Sequence, residues 1–144
     1  MKVLVLMGSD KDADRMAPAS EMLERFGIDH DVIVASAHRT PERVAEIARW
    51  ARGSGVAAII CGAGKAAHLA GAVAAHTTLP VIGVPISSGG LGGLDALLST
   101  VQMPTGMPVA TVAVDSAANA ALLAISIMGV TDDDLAEALM EYRE

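Results

Sequence analysis

Residues 32–43 read VIVASAHRTPER, and they hold the end of a strand and the start of a helix with little between them. Val32–Ala35 is an unbroken apolar run, the pattern of a strand covered on both faces. Thr40 is a good N-cap, Pro41 carries the fixed φ suited to a first helical position, and Glu42 favours the positive helix end. The helix that follows has Val44, Ile47, Ala48 and Ala51 at i, i+3, i+4 and i+7, one apolar face. It stops at Gly53-Ser54-Gly55. A strand passing so directly into an amphipathic helix is the repeating half of a parallel sheet, so the fold turns on whether the unit recurs.

It recurs along the whole chain. Upstream, Val3–Met7 reads as a strand ended by Gly8-Ser9, and Asp12 to Phe26 as a helix closed by Gly27. Downstream, Val56–Cys61 is a third strand, followed by Gly62-Ala63-Gly64 and a small-residue helix from Ala66 to about Ala75. Pro80–Pro85 is a fourth strand, and the glycine-rich SSGGLGG leads into a helix over Leu94–Val101. Met107–Val114 reads as the fifth strand and Asn119–Met128 as an apolar helix. Thr131 and three aspartates then cap an amphipathic helix with Leu135, Leu139 and Tyr142 on one stripe. Five strands, each apolar on both faces and alternating with helices, predict one α/β domain over 1–144, a three-layer parallel sheet with helices on both faces. Pro18 falls inside the first helix, where it removes a backbone hydrogen bond.

Composition narrows the function. The chain is 52% hydrophobic and 19% charged, so a packed core is expected rather than disorder. A mean hydropathy of +0.46 is high for a monomer of this size and suggests apolar surface buried between subunits. The net charge of −7 argues against non-specific nucleic-acid binding, which needs clustered Lys and Arg, while leaving room for a local site that takes an anion. A single cysteine, Cys61, excludes an intrachain disulfide and a Cys-based zinc site; at the end of an apolar strand it reads as a small buried residue. No apolar run reaches a membrane span or a signal-peptide core, so a cytoplasmic protein without a membrane partner is expected.

In open parallel sheets ligands bind beyond the carboxyl ends of the strands, which directs attention to Gly8–Asp12, Ser36–Thr40, Gly62–His68 and Ile86–Gly93. Gly62-Ala63-Gly64-Lys65 is not a P-loop, because Ile59 and Ala66 occupy positions that require Gly and Ser or Thr. Nor is it a dinucleotide fingerprint, because Ile82-Gly83-Val84 stands where an acid is needed. It leaves two readings open: a turn at a helix N-terminus whose amides hold an anion, or glycines required only for tight packing. Ser9 and Asp12 are either helix caps or ligand-facing groups, a carboxylate there being able to hold ribose hydroxyls. Ser36, His38 and Arg39 are harder to read as a plain turn. Arg suits bidentate recognition of phosphate or carboxylate, and His titrates near neutrality. His68, two residues into the third helix, faces the same cleft, whereas His30 reads as surface and His76 as a helix-terminal cation. No metal-ligand set stands out.

Five stretches in order, MGSDKD, SAHRTP, GAGKAAHLAG, LPVIGVP and LDALLSTVQMPTGMPVATVAV, resemble the N5-carboxyaminoimidazole ribonucleotide mutases of purine biosynthesis. The resemblance runs from Val3 to about Met128. It implies a flavodoxin-like fold, a cofactor-free transfer of a carboxylate from the exocyclic nitrogen of a ribonucleotide substrate to ring carbon 4, and a homo-octamer. It carries the catalytic histidine onto His38 and substrate-binding positions onto Ser9, Asp12 and Arg39. Ser36 and the loop containing Gly64, Lys65, Ala66, His68 and Leu69 then line the site. The family's loop more often reads GAGGAAHLPG, so Lys65 and Ala70 are departures. Lys65 either adds a cation beside the migrating carboxylate or points to solvent or a neighbouring subunit, and the second is the expectation. SSGGLGG is richer in glycine than usual and suggests a mobile lid. The chain's end at Glu144 implies a curtailed C-terminal extension, which bears on the octamer. Two other readings compete: the related carboxylase that uses free CO2, and a non-catalytic flavodoxin-like nucleotide module. The second gives no reason for His38 beside Arg39, and its flavin form wants stacking aromatics, of which the chain has almost none.

Overall fold

The computed structural model describes residues 1–144. Five strands, β1 (Lys2–Met7), β2 (Asp29–Val34), β3 (Val56–Gly64), β4 (Val81–Ile86) and β5 (Ala110–Thr111), form one sheet in the order β2-β1-β3-β4-β5. Every pairing is parallel. The intervening helices are α1 (Ala13–Arg25), α2 (Pro41–Ala51), α3 (Leu69–Ala74), α4 (Leu94–Val101), α5 (Ala117–Met128) and α6 (Asp133–Arg143). No helix is long and apolar enough to cross a membrane.

Strand alternation divides the core in two. Val3, Val5, Ile60, Ile82 and Val84 pack with Met16, Leu23, Ala121 and Ile125 of α1 and α5. Leu4, Leu6, Ile59 and Cys61 point the other way, onto Val44, Ala48, Leu69 and Val73 of α2 and α3. Two buried layers against one sheet are what two-sided apolar strands require. Because strand order reverses between β1 and β3, their following loops diverge to opposite faces and leave a crevice at the carboxyl ends.

Several boundaries differ from the sequence reading. Strand β2 starts earlier, at Asp29, and is an edge: Val32 and Val34 are exposed and His30, inside the strand, is half-buried. It is therefore not covered on both faces, and a charged pair at its start, Lys2–Asp31 at 2.6 Å, is typical of a protected edge. Strand β3 runs on through Gly62-Ala63-Gly64, and α3 begins only at Leu69, so His68 is its N-cap rather than a residue inside it. Strand β5 keeps two residues. Pro85 in β4 turns its carbonyl toward β5, where it accepts from Asp115 N at 2.8 Å, and it has no N–H to return. Lastly, α1 starts at Ala13, after a 3-10 turn over Asp10–Asp12, and it retains Pro18.

Candidate active site

The crevice is a cavity of about 630 Å³ at the carboxyl ends of β1, β2 and β3, lined among others by Ser9, Asp12, Ser36, His38, Arg39 and Lys65. Gly64, Ala66, His68 and Leu69 complete the set expected from the sequence, and Ser88 joins it from the segment after β4. All ten expected residues thus meet at one place. The sheet register is the cause: Met7 pairs with both Val34 and Gly62, so the three chains leave the sheet side by side. Ala35 N still donates to Met7 O at 2.9 Å and Gly8 N to Gly62 O at 3.2 Å, carrying the ladder to the lip of the cavity.

The loop after β2 is a closed turn. Thr40 N and Oγ1 both donate to Ser36 O, at 2.9 and 3.1 Å, and the Arg39 amide donates to Ser36 Oγ at 3.2 Å. Thr40 is the N-cap by position, but its hydroxyl bonds back to Ser36 rather than capping α2. Ser36 therefore stiffens the turn that presents His38 and Arg39. Arg39 pairs with no carboxylate of the chain, which leaves its fork free for an anion.

His38 Nε2 lies 2.6 Å from His68 Nδ1, the rings edge to face at 79°. Such a bond needs one N–H and one bare nitrogen, so the pair holds a proton that can move between two side chains inside the cavity. Sequence reading put both histidines in the cleft but not in contact; only the βα loops of β2 and β3 lying across the switch point bring them together. Ser9 caps the 3-10 turn, accepting from Lys11 N at 3.2 Å, and also lines the cavity. Burial pushes the Asp12 carboxyl up, against the opposing charge of Arg15.

The glycines of β3 serve packing. A Cβ on Gly62 would overlap Met16 Sδ and come within 3.0 Å of Ile86 Cδ1, and one on Gly64 would overlap Ser88 Oγ. Close approach therefore requires glycine at both positions. Lys65 then turns the chain with φ 53°, a left-handed conformation. Its carbonyl accepts from Ser99 Oγ at 3.2 Å, and the same hydroxyl accepts from Ala67 N at 2.9 Å, so α4 anchors the loop. The Lys65 side chain is exposed and its stem runs beside Gly89.

His76, beyond α3, bonds Ala72 O at 2.9 Å through Nδ1. Cys61 is buried and burial pushes its thiol far up, which suits a packing role. A second cavity, of about 840 Å³, opens at the amino end of the sheet beside Arg49, Arg52 and His76. It contains neither paired imidazoles nor the converging strand-end loops.

A family model described as AIR carboxylase matches residues 2–144. The chain is 55% identical over 143 residues to a Pyrococcus abyssi protein named N5-carboxyaminoimidazole ribonucleotide mutase, covering 99% of this chain and 82% of that one. It is 53% identical over 139 residues to the chloroplastic phosphoribosylaminoimidazole carboxylase of Vigna aconitifolia, a match covering 96% of this chain and 25% of that protein. A crystal structure of Treponema denticola PurE has a TM-score of 0.86 at 30% identity, covering 98% of this chain and 88% of that one.

Proposed function

This chain belongs to the AIR carboxylase family, and from that premise we propose that it is a mutase converting N5-carboxyaminoimidazole ribonucleotide to 4-carboxy-5-aminoimidazole ribonucleotide in purine biosynthesis. The observation that carries the chemistry is the His38–His68 pair facing a cavity of nucleotide size, with Asp12 and the free guanidinium of Arg39 on its walls.

The reaction needs one group that gives a proton and takes one back near neutral pH, which is the province of imidazole. His38 as imidazolium protonates the carbamate nitrogen. The N–C bond breaks and releases CO2 within the cavity. Ring carbon 4, enamine-like, attacks that CO2 and forms the new C–C bond. Neutral His38 then removes the proton from carbon 4, restoring aromaticity and its own starting charge, so no proton is consumed overall. His68 shares the proton through its bond to His38 and fixes which ring nitrogen is bare. Arg39 and Ser9 take the phosphate, Asp12 the ribose hydroxyls. Ser36 acts through the turn it stiffens. The backbone of Gly64, Lys65, Ala66 and Leu69 borders the migrating carboxylate. A closed pocket matters because free CO2 would escape or hydrate.

The match to a plant carboxylase supports a second reading, in which free CO2 is the substrate. Turnover of the carboxyamino ribonucleotide in the presence of a CO2-consuming trap decides between them. Product that survives the trap supports internal transfer, and product formed only from aminoimidazole ribonucleotide with added bicarbonate overturns it. His38→Asn is expected to lower kcat by at least about a hundredfold while binding of aminoimidazole ribonucleotide, by calorimetry, stays within about threefold. We further propose a cytoplasmic homo-octamer; the exposed apolar stripe of α4 supports self-association.

A further inference from the structure

Arg15 lies in the first turns of α1, outside every motif of the sequence reading. Its Nη1 nevertheless sits 2.7 Å from Ser87 O, 2.6 Å from Ser87 Oγ and 3.0 Å from Asp115 Oδ1. The Ser87 amide donates to Asp115 Oδ1 at 2.9 Å, and the Ser87 hydroxyl donates to Asp115 Oδ2. Three segments distant in sequence thus meet at Ser87.

The arrangement completes what β5 leaves undone. The β4–β5 ladder stops at Gly83–Thr111, and Pro85 cannot donate to extend it. Two residues on, the Asp115 carboxylate accepts the Ser87 N–H in the place a strand carbonyl would occupy. To aim that carboxylate back at β4, Asp115 adopts φ 59°, a left-handed conformation that persists where surrounding bonds over-determine it. Burial raises the Asp115 carboxyl, but the bonds from Ser87 and Arg15 and the charge of Arg15 outweigh it and leave it below the usual carboxylate value.

What the clasp holds is the edge of the active site. Ser87 opens the segment 87–93, whose far end returns to it: a Cβ on Gly93 would come within 3.2 Å of Ser87 Cβ and 2.7 Å of Val114 Cγ1. Ser88, next to the clasped residue, lies against Gly64 and lines the cavity. A Cβ on Gly89, beyond it, would lie 3.6 Å from the stem of Lys65. Arg15 also opposes the burial of Asp12 three residues before it. The guanidinium thus bonds to Ser87, next to one cavity-lining residue, Ser88, while its charge acts on a second, Asp12.

We propose that Arg15 and Asp115 are positioning residues for substrate binding: their clasp on Ser87 holds Ser88 and the following glycine segment in place along one wall of the cavity. The inference rests on the mutase reading. Its effect belongs to binding, because the clasp lies behind the wall and touches neither imidazole.

The test compares wild type, Arg15→Met, Asp115→Asn and the double variant in turnover of N5-carboxyaminoimidazole ribonucleotide. Titration with ribose 5-phosphate is the companion readout, made well below each variant's melting temperature. Absence of wild-type turnover would count against the assigned reaction, while the titration still reads the clasp. Each single substitution is expected to raise KM and the ribose 5-phosphate Kd about tenfold with kcat within about threefold. The double variant should be no worse than the weaker single, since both remove one unit. Folded variants with KM and Kd within about twofold of wild type, a loss confined to kcat, or multiplying effects in the double would each overturn the proposal. Should either single fail to fold, Ser87→Ala removes only the hydroxyl of the clasp. A rise in Kd of more than about twofold then supports the proposal, and no rise overturns it.

Discussion

Lys65 shows how much of the site hangs on single backbone angles. At φ 53° its side chain crowds the following carbonyl, at a cost of about 1–2 kcal/mol in a non-glycine residue, and a glycine there removes that cost. Glycine also has more freedom to lose on folding, so Lys65→Gly is expected to stabilise the protein by a net of about 0.5–1 kcal/mol, read from denaturant midpoints, with kcat/KM within about twofold. A larger loss of activity would show that the ammonium acts on substrate. Asp12 presents the reverse trade. Burial raises its carboxyl above the ordinary 3.8 despite Arg15. A raised group contributes stability fully below its unfolded pKa and loses it as pH rises through the folded value, so the ionised carboxylate costs stability at pH 7. Asp12→Asn should raise the melting temperature at pH 7 but not near pH 3, and lower kcat/KM at least about tenfold through lost ribose contacts. At this scale the sequence was legible where chemistry and position coincide, as in His38 and Arg39. Arg15 was not legible, because an arginine on a helix carries no sign of partners at Ser87 and Asp115.

At the scale of elements, the sequence marks the strands by apolar runs but does not say where each stops. The run into Gly62-Ala63-Gly64 read as a turn because glycine usually breaks a strand; here it lets β3 pass close to neighbouring side chains, Met16 and Ile86 at Gly62 and Ser88 at Gly64. Gly62→Ala would force the Met16 thioether and Ile86 aside and is expected to destabilise by about 1–3 kcal/mol, measured by urea denaturation. Because Gly62 adjoins the site, kcat/KM should fall with it. An alanine variant as stable as wild type would mean that Met16 re-packs without cost. Strand β5 erred in the other direction. Its apolar run, Met107–Val114, is long enough for a full strand, yet Pro85 on the neighbouring strand withholds the donor that a longer ladder requires. Pairing is a property of two strands, and one strand's sequence cannot show it.

Across the whole molecule, the excess of apolar residues noted in the composition is visible as surface. Leu91, Leu94, Leu98 and Val101 run along the outer side of α4 and its approach, exposed by 67, 55, 51 and 43%. Burying a leucine side chain is worth about 1.5–3 kcal/mol, so such a stripe supports contact with another copy of the chain. Leu98→Glu is expected to lower the molar mass seen by sedimentation velocity while circular dichroism stays that of wild type; an unchanged mass would remove α4 from the assembly interface. The sequence by itself determined the alternation of strand and helix, the two-sided core and the loops that line the cavity. Each of these follows from local periodicity and from the rule that parallel strands end on one side. Tertiary structure alone decided the contact of His38 with His68, the clasp of Arg15 on Ser87 and Asp115, and the length of β5. These join segments 28 to 100 residues apart in sequence, where position in space depends on register and packing that no single stretch encodes.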